Sequence, residues 1–153
     1  MQILEMRSEH ITQIRLIEQL TGITPWSTED YIHALQNAHR WSGWVMMPGE
    51  NGPSGYPLGF ALMALIPPES ELGKLAVHPE WQRKGIATAL LAKAIGHARA
   101  RNCSKCFLEV RSTNEGAIAF YLQHGFIRSG LRKSYYRDPL DDAVIMVCPI
   151  DQL

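Results

Sequence analysis

Cysteine is scarce in this sequence of 153 residues, which has Cys103, Cys106 and Cys148 and no others. An odd number of cysteines, in a chain whose start shows no secretion signal, argues against a disulfide framework. Cys103 and Cys106 form a C-x-x-C pattern, but a zinc site needs a second ligand pair at a suitable spacing. Only isolated histidines and Cys148 remain to supply one. We therefore expect reduced, partly buried thiols and no metal site.

Net charge is absent too, because 15 Lys and Arg residues balance 15 Asp and Glu residues. A neutral chain has no global attraction to nucleic acid or to an acidic membrane surface, and we expect neither as a partner. Long apolar runs and a cleavable leader pattern are also missing, so we expect a cytoplasmic protein. With 46% hydrophobic residues, the chain can bury one core, and we expect a single domain over residues 1–153.

The spacing of apolar residues predicts a strand and two helices at the start of the chain. QILEM alternates like a short strand, and SEHITQIRLIEQL then repeats isoleucine and leucine at helical spacing. In PWSTEDYIHALQNA, Ser27 is a candidate N-cap, with Asp30 three residues later as a weaker version of the capping box. We expect this second helix to end near Ala38.

Apolar runs and turn residues predict the remaining elements. The strand-like segments are WVMM, LGFALMALI, SELGKLAV, KCFLEVR, FIRSGLRKSYY and DAVIMVCPI, and the first two form a hairpin around PGENGPSGYP. Helices are expected from about Gly85 to Ala100 and in STNEGAIAFYLQHG, where Gly125 ends the helix.

The order of these elements predicts the sheet. A helix between SELGKLAV and CFLEVR makes those two strands parallel, whereas hairpins are antiparallel. The expected fold class is therefore α+β, or α/β on a looser count, with a mixed central β-sheet flanked by helices.

The segment HPEWQRKGIATALL places two cationic side chains and a glycine directly before an apolar helix. Unpaired N–H groups at a helix start attract anions, phosphate above all, and glycine lets a ligand approach the backbone closely. We expect Arg83, Lys84 and Gly85 to bind an anion, phosphate most readily. An ordinary loop-to-helix turn is the alternative, whereas the G-x-x-x-x-G-K-[ST] spacing of a P-loop is absent.

Two ordered motifs carry a resemblance to a known family. QRKGIA at 82–87 matches the signature Q/R-x-x-G-x-G/A, with Ala87 where the signature often has its last glycine. Further along, LEVRSTNEGAIAFYLQHGF has a strand ending in Glu-Val-Arg, an Asn at the next helix start, a Tyr and a closing Gly-Phe. Together they resemble the GNAT superfamily of acyl-CoA-dependent N-acetyltransferases.

Three smaller features narrow the resemblance to the RimI-type branch, whose members acetylate the N-terminal alanine of a small-subunit ribosomal protein. They are PWS at 25–27, LEVR at 108–111 and SYYRDPLDDAVIM at 134–146. The strand ELGKLAV, before the glycine signature, departs from the RimI pattern. The resemblance implies the GNAT fold and acetyl-CoA as co-substrate, with no metal.

The resemblance also implies a cofactor site. In the family, the backbone of the strand before the signature pairs with the pantetheine arm much as an added strand would. Asn114 would hydrogen-bond that arm, although simple helix capping is an alternative role for it. The implied cofactor-binding residues are Leu75, Ala76, Val77, Arg83, Lys84, Gly85, Ile86, Ala87, Thr88 and Asn114.

For direct acetyl transfer, the resemblance implies Glu109 as general base and Tyr121 as general acid. A carboxylate in an apolar strand is unusual because burial without a partner is costly, but surface exposure or a salt bridge to Arg111 would also explain Glu109. Helical spacing alone makes Tyr121 a core residue. Glu71 is a rival base, because it matches the position of the general base in the histone acetyltransferase branch.

Three hypotheses for the function remain open on the sequence. The first is a RimI-type enzyme that acts on a peptide N-terminus, and the second is a GNAT enzyme for a small amine such as a polyamine, an amino acid derivative or a drug. The third, a non-catalytic acyl-CoA-binding module, would not need Glu109 and Tyr121. By analogy with RimI, Trp26, Tyr135 and Tyr136 would line a peptide groove, with core packing as the alternative. We expect a monomer or a homodimer.

Overall fold

The computed structural model describes residues 1–49 and 55–150, so part of the predicted hairpin loop lies outside the described residues. These residues form four α-helices and seven strands in the predicted order. The helices are α1 (Ile11–Thr21), α2 (Thr28–Gln36), α3 (Ile86–Ala100) and α4 (Glu115–Gln123). The strands are β1 (Gln2–Glu5), β2 (Trp41–Met47), β3 (Gly59–Ile66), β4 (Glu69–Val77), β5 (Lys105–Arg111), β6 (Ile127–Arg137) and β7 (Leu140–Pro149).

Local hydrogen bonds determine where the first two helices begin. Ser27 and Asp30 form both bonds of a capping box, from Asp30 N to Ser27 Oγ at 3.0 Å and from Ser27 N to Asp30 Oδ2 at 2.9 Å. The predicted N-cap is therefore confirmed. α2 ends at Gln36 rather than near Ala38, because the next residue leaves helical geometry. Ser8–His10 form a separate 3-10 turn before α1.

All strands join one sheet in the order β1-β2-β3-β4-β5-β7-β6. Neighbours from β1 to β4 are antiparallel, and so are β5 with β7 and β7 with β6. β4 and β5 are parallel, because α3 carries the chain from the end of one to the start of the other. The predicted fold class, a mixed central sheet flanked by helices, is confirmed.

An apolar cluster lies on each face of the sheet. α3 and α4 cover one face, where Leu90 packs in a cluster with Leu72 of the sheet. α1 and α2 cover the other face, where Ile14 packs in a cluster with Phe60. Within residues 1–49 and 55–150, every helix is too short or too polar to cross a bilayer.

A buried ion pair joins α1 to β4. Lys74, 6% exposed, donates through Nζ to the carboxylate of Glu18, which is 1% exposed, and to the Thr24 carbonyl oxygen at 2.6 Å. Glu18 also accepts from the Trp26 N–H at 3.2 Å. Burial lowers the pKa of Lys74, and the hydrogen bond to Glu18 opposes that shift. These bonds hold the connection between α1 and α2 against β4.

Replacing Lys74 with methionine is expected to lower the free energy of unfolding by about 3–5 kcal/mol, because the Glu18 charge is left buried without its partner. Adding Glu18→Gln should recover a large part of that loss, since it removes the charge and keeps an acceptor for the Trp26 N–H. Urea unfolding measures both variants. The exposed control Lys93→Met should change stability by less than about 0.5 kcal/mol. A double variant no more stable than Lys74→Met would contradict this account.

Candidate functional site

The parallel strands β4 and β5 separate soon after they meet. Their paired residues are Glu69 with Lys105, Ser70 with Cys106 and Glu71 with Phe107. In the described structure, β4 then continues to Val77 and β5 to Arg111 with no further pairing between them. A gap therefore opens between the two strands, and beyond Glu71 the strand β4 presents an edge with which an extended ligand can pair.

A bulge in β4 gives this separation a local cause. Leu62 of β3 pairs with Lys74 and Met63 pairs with Leu72, so that Gly73 has no partner on β3. A bulged residue bends its strand and increases the local twist. The bulge comes two residues after the last pair with β5, which is where the two strands diverge.

The N terminus of α3 lies at the far end of β4 and has no side-chain cap. Gly85 is the N-cap, with a left-handed φ of 83° that glycine adopts without strain. The first helical bond runs from Ala89 N to Gly85 O at 3.0 Å, so the N–H groups of Ile86, Ala87 and Thr88 precede it. In contrast, side chains cap α2 and α4. The predicted helix start is confirmed, and its donors and positive dipole end are available to an anion.

Cationic and polar side chains stand beside this helix start. Arg83 and Lys84 are both exposed, and Lys84 Nζ lies 5.9 Å from the ring centroid of Trp81. Gln82 donates from Nε2 to the Val77 carbonyl oxygen at 3.0 Å, which connects the helix start to the end of β4. The predicted anion-binding residues therefore lie together at the carboxyl end of β4.

The other predicted cofactor residues have ordinary local contacts. Asn114 is the N-cap of α4, and its Oδ1 accepts from Ala117 N at 3.1 Å, so the capping role is confirmed. The Thr88 hydroxyl lies 3.2 Å from Nε2 of His124, the residue after α4. Of the three residues at the end of β4, Leu75 is partly buried, while Ala76 and Val77 are each 7% exposed. Their side chains belong to the core, as expected.

Charged side chains meet in a pocket of about 190 Å³ where β4 and β5 diverge. Glu71 comes from β4 and Glu109 from β5, so the two rival bases line one site. Arg132, from β6, lines the same pocket. The other lining residues are Ile66, Glu69, Ser70, Phe107, Leu108 and Ile145.

Glu109 forms an ion pair with Arg132, with 2.9 Å between Oε1 and Nε. The Glu109 side chain is 20% exposed and that of Arg132 is 56% exposed. The alternative of a salt bridge between Glu109 and Arg111 is wrong. The guanidinium of Arg111 donates instead to the carbonyl oxygens of Pro139 at 2.8 Å and Asp138 at 3.1 Å, in the turn between β6 and β7.

The charges in this pocket influence one another. Partial burial raises the pKa of Glu71, and the negative charge of Glu109 raises it further, against the opposing charges of Arg132 and Arg40. Burial and the charge of Glu109 also raise the pKa of Tyr136 to about 12. Neighbouring carboxylates with different environments are typical of sites that transfer protons.

Tyr121 lies on the opposite face of the sheet from the two carboxylates. It is 8% exposed and belongs to the same cluster as Leu72 and Leu108, the first residues of β4 and β5 after their pairing ends. Its ring centroid is 5.4 Å from that of Phe126, and burial raises the pKa of its phenol. Because successive strand side chains point to opposite faces, Leu108 faces the cluster of Tyr121 while Glu109 faces the pocket. Core packing of Tyr121 is confirmed, on the side of the sheet away from the carboxylates.

The aromatic residues expected near the acceptor differ in their surroundings. Trp26 is partly buried, and its ring centroid lies 5.3 Å from that of Tyr31 and 5.4 Å from that of Trp41. Tyr135 is 50% exposed. The ring of Tyr136 contacts an arginine guanidinium, 4.3 Å from its centroid. Packing therefore accounts for Trp26, whereas Tyr135 is half-exposed and lies beside Glu109 and Arg132.

The C-x-x-C pattern falls in the core. Cys103 and Cys106 are both 0% exposed, and Cys103 Sγ donates to the Glu69 carbonyl oxygen at 3.4 Å. Burial raises the pKa of Cys106 to about 12. Across the part of the chain that the structure describes, no three His, Cys, Asp or Glu side chains are grouped so as to hold a metal.

Sequence reasoning missed two charged residues of this region, Arg132 and Lys74. An ionisable side chain in an apolar strand is the signal that singles out Glu109, and Lys74 in ELGKLAV gives the same signal. Arg132 gives none, because its strand is exposed along nearly its whole length. Only the strand order β5-β7-β6 brings it to Glu109.

Comparison with known proteins identifies the family. Residues 11–126 match the family model of the Acetyltransferase (GNAT) family. The chain is 34% identical to the [ribosomal protein bS18]-alanine N-acetyltransferase of Escherichia coli (strain K12) over 136 residues, which are 88% of this chain and 87% of that protein. The crystal structure of the ribosomal-protein-S18-alanine N-acetyltransferase from Escherichia coli matches with a TM-score of 0.84 at 29% identity, covering 99% of this chain and 95% of that one. A PaiA N-acetyltransferase from Thermoplasma acidophilum in complex with coenzyme A shares the fold, with a TM-score of 0.76 at 18% identity over 97% of this chain and 98% of the other.

The family match spans every residue predicted to bind the cofactor or to transfer a proton. It confirms the family resemblance carried by the two sequence motifs and the enzyme class that this resemblance implies. The chain therefore belongs to the Acetyltransferase (GNAT) family, whose members use acetyl-CoA as acetyl donor, and it is an N-acetyltransferase.

Proposed function

We propose that this enzyme transfers an acetyl group from acetyl-CoA to the N-terminal α-amino group of a protein, with an alanine-starting ribosomal protein as the first acceptor to test. The observation that carries the proposal is the pocket where β4 and β5 diverge, which brings Glu71 and Glu109 together beside an unpaired edge of β4. The Escherichia coli relative at 34% identity is described as acting on an alanine of ribosomal protein bS18.

The residues present fit a coenzyme that carries amides along its length and a diphosphate towards one end. The edge of β4 beyond Glu71 can pair with amide groups as it would with a strand. The uncapped start of α3 supplies N–H donors, and a Cβ added to Gly85 would meet nothing within 4 Å, so a diphosphate has room there. Since α3 starts just after β4 ends, one extended ligand can reach both.

In this proposal the backbone of 75–77 binds the pantetheine arm and the amides of 85–88 bind the diphosphate, with added positive charge from Arg83 and Lys84. The oxygen of the Asn114 side chain caps α4, which leaves its NH₂ group to donate to the arm. When bound, acetyl-CoA supplies an acetyl group that is activated as a thioester.

Glu109 is the proposed general base and Tyr121 the proposed general acid. An amine attacks a thioester only in its neutral form, so the acceptor's ammonium must first lose a proton. The Glu109 carboxylate accepts that proton on the pocket side of the sheet. The phenol of Tyr121, which its raised pKa keeps protonated, donates its proton to the departing sulfur from the other side. A gap between strands is what lets groups on opposite faces act on the same bonds.

Glu71 is the second carboxylate of the pocket. We assign the transfer to Glu109 because it lies two residues beyond the last pair of β4 and β5, inside the gap. Glu71 itself belongs to that last pair. Its negative charge helps to attract a cationic acceptor.

The protonation of the acceptor favours an α-amino group. Its pKa is about 8 and that of a lysine side chain about 10.4, so deprotonation at pH 7 costs about 1.4 kcal/mol for the first and about 4.6 kcal/mol for the second. A peptide N-terminus therefore requires less of a carboxylate base. Together with the named activity of the relative, this supports a peptide acceptor over a lysine side chain.

The proposed diphosphate site predicts a specific effect of Gly85→Ala. Gly22→Ala is a matched control, because Gly22 also has a left-handed φ, 73° against 83°, and also has nothing within 4 Å of an added Cβ. Both variants should lose about 1–2 kcal/mol of stability through backbone strain. Only Gly85→Ala should weaken acetyl-CoA binding, by about tenfold or more in calorimetry. Equal affinities in the two variants would place the diphosphate elsewhere.

The assignment of the base is tested by the pH dependence of kcat/KM. Glu109→Gln should lower the rate by about 100- to 10,000-fold, the usual contribution of a general base, and should abolish the acidic limb of the profile. Glu71→Gln should keep that limb. If the limb disappears with Glu71→Gln and persists with Glu109→Gln, then Glu71 is the base.

Tyr121→Phe removes the proposed acid and preserves the ring packing. We expect acetyl-CoA affinity to stay the same and kcat to fall by about 100-fold or more, because the departing sulfur loses its proton donor. Tyr56→Phe is a control, since it removes the hydroxyl of an exposed tyrosine that does not line the pocket. Unchanged turnover in Tyr121→Phe would leave Tyr121 as a packing residue only.

A turnover screen tests the acceptor. The substrates are a synthetic peptide that starts with alanine, the same peptide with its N-terminus already acetylated, and a small polyamine, each with acetyl-CoA. Only the free peptide should release CoA, and mass spectrometry should locate the acetyl group on its first residue. Turnover of the polyamine without turnover of the peptide would make this a small-amine acetyltransferase.

A further inference from the structure

We propose that Arg132 is a positioning residue. It forms an ion pair with Glu109 in the acceptor-free enzyme, and the acceptor's ammonium group displaces it from Glu109. The inference rests on the proposed function and adds to it the residue that sets how tightly the acceptor binds. It follows from how the guanidinium reaches Glu109, from the bulge that directs it, and from the balance of charge in the pocket.

Arg132 reaches Glu109 across an intervening strand. Glu109 of β5 pairs with Ile145 of β7, and Arg132 of β6 pairs with Ala143 two residues before it. Gly130, on the same strand as Arg132, also pairs with Ile145. The small side chain of Ala143 leaves room for the long arginine side chain to cross β7, whereas Ile145 fills the space beside Gly130. The 2.9 Å contact between Nε and Oε1 is the result.

A bulge in β6 directs this side chain. The register between β6 and β7 shifts between Arg132 and Tyr136. Within that segment Ser134 has a left-handed φ of 52°, and its N–H donates to Asp142 Oδ1 at 2.8 Å. A left-handed conformation is unfavourable for serine, and this hydrogen bond helps to hold it in place. Bulges next to active sites commonly redirect a side chain.

The charge in the pocket favours a second cation. Glu71 and Glu109 face a single guanidinium there, and the charge of Glu109 already raises the pKa of Glu71. An ammonium group close to both carboxylates would relieve this repulsion. Because its side chain is 56% exposed, Arg132 can move into water at little cost, since exposed ion pairs contribute little to stability.

The surroundings of Glu109 define which groups contribute to any pH dependence. The charged and titratable groups that face it are Glu71 on β4 and Arg132, Tyr135 and Tyr136 on β6. Arg40 acts on Glu71, and Glu69 lines the same pocket. Arg132 is thus the cation in direct contact with the proposed base.

The exchange is consistent with the proposed transfer. The ammonium replaces the guanidinium beside Glu109, and its proton passes to a Glu109 carboxylate oxygen. The neutral nitrogen attacks the thioester carbonyl, the C–S bond breaks, and the sulfur takes the proton of Tyr121. The nitrogen then loses its second proton, which restores the Tyr121 phenol, and the amide is left. Once protonated, Glu109 no longer attracts Arg132, so the guanidinium does not compete with the acceptor during transfer.

The test compares Arg132→Gln, Arg132→Lys and Arg128→Gln with an alanine-starting hexapeptide as acceptor. Arg128→Gln is the matched control, because Arg128 is an exposed arginine of the same strand that does not line the pocket. On the alkaline plateau, Arg132→Gln should lower the acceptor KM about two- to fivefold, the size expected for losing a half-exposed competing ion pair. The KM for acetyl-CoA should not change. Arg132→Lys should stay close to the wild-type values because it keeps the charge.

A pH profile provides the second measurement. In Arg132→Gln the acidic limb of kcat/KM should move to higher pH, since the carboxylates lose a neighbouring positive charge, and in Arg128→Gln it should stay in place. An acceptor KM that is unchanged or higher in Arg132→Gln, or an acidic limb that does not move, would overturn the role of Arg132 alone. If the wild-type enzyme acetylates no peptide, the proposed function fails and the inference fails with it.

Discussion

The short pairing between β4 and β5 is the constraint on which the rest of the site depends. Parallel strands that stayed paired to their ends would satisfy their backbone groups on each other and leave no edge inside the sheet. Here the pairing stops at Glu71 and Phe107, next to a bulge in β4. The sheet thereby gives up internal hydrogen bonds at its centre and gains an edge that a coenzyme arm can pair with. Side chains from both faces also border the opening.

Two ion pairs of this protein show how burial determines what a charge can do. Lys74 and Glu18 are almost fully buried, and both have further hydrogen bonds, so neither can be exchanged without a large cost. Arg132 and Glu109 are partly exposed, and one of the two can move into water. The first pair fixes the connection between α1 and α2 against the sheet. The second lies in the pocket proposed to bind the acceptor.

Much of the architecture could be predicted because its causes are local. The capping box of Ser27 and Asp30, the glycine at the start of α3 and the alternation within the strands all act over a few residues, and they placed every element in the right order. The crossover helix correctly predicted that β4 and β5 are parallel. The predicted ends of individual helices and strands were less accurate, as at the end of α2. Local propensity changes gradually along the chain, whereas the hydrogen bonding of a helix stops at one residue.

By itself the sequence determined the family, the helix start with its cationic neighbours, and the carboxylates and phenol that the proposal uses. The tertiary structure alone decided which of these groups meet. Glu71 and Glu109 are rivals in sequence, yet they line one pocket. Glu109 pairs with Arg132 rather than with nearby Arg111. Arg132 reaches Glu109 because the strand order is β5-β7-β6. That order results from packing among segments distant in sequence, and no short stretch of sequence encodes it.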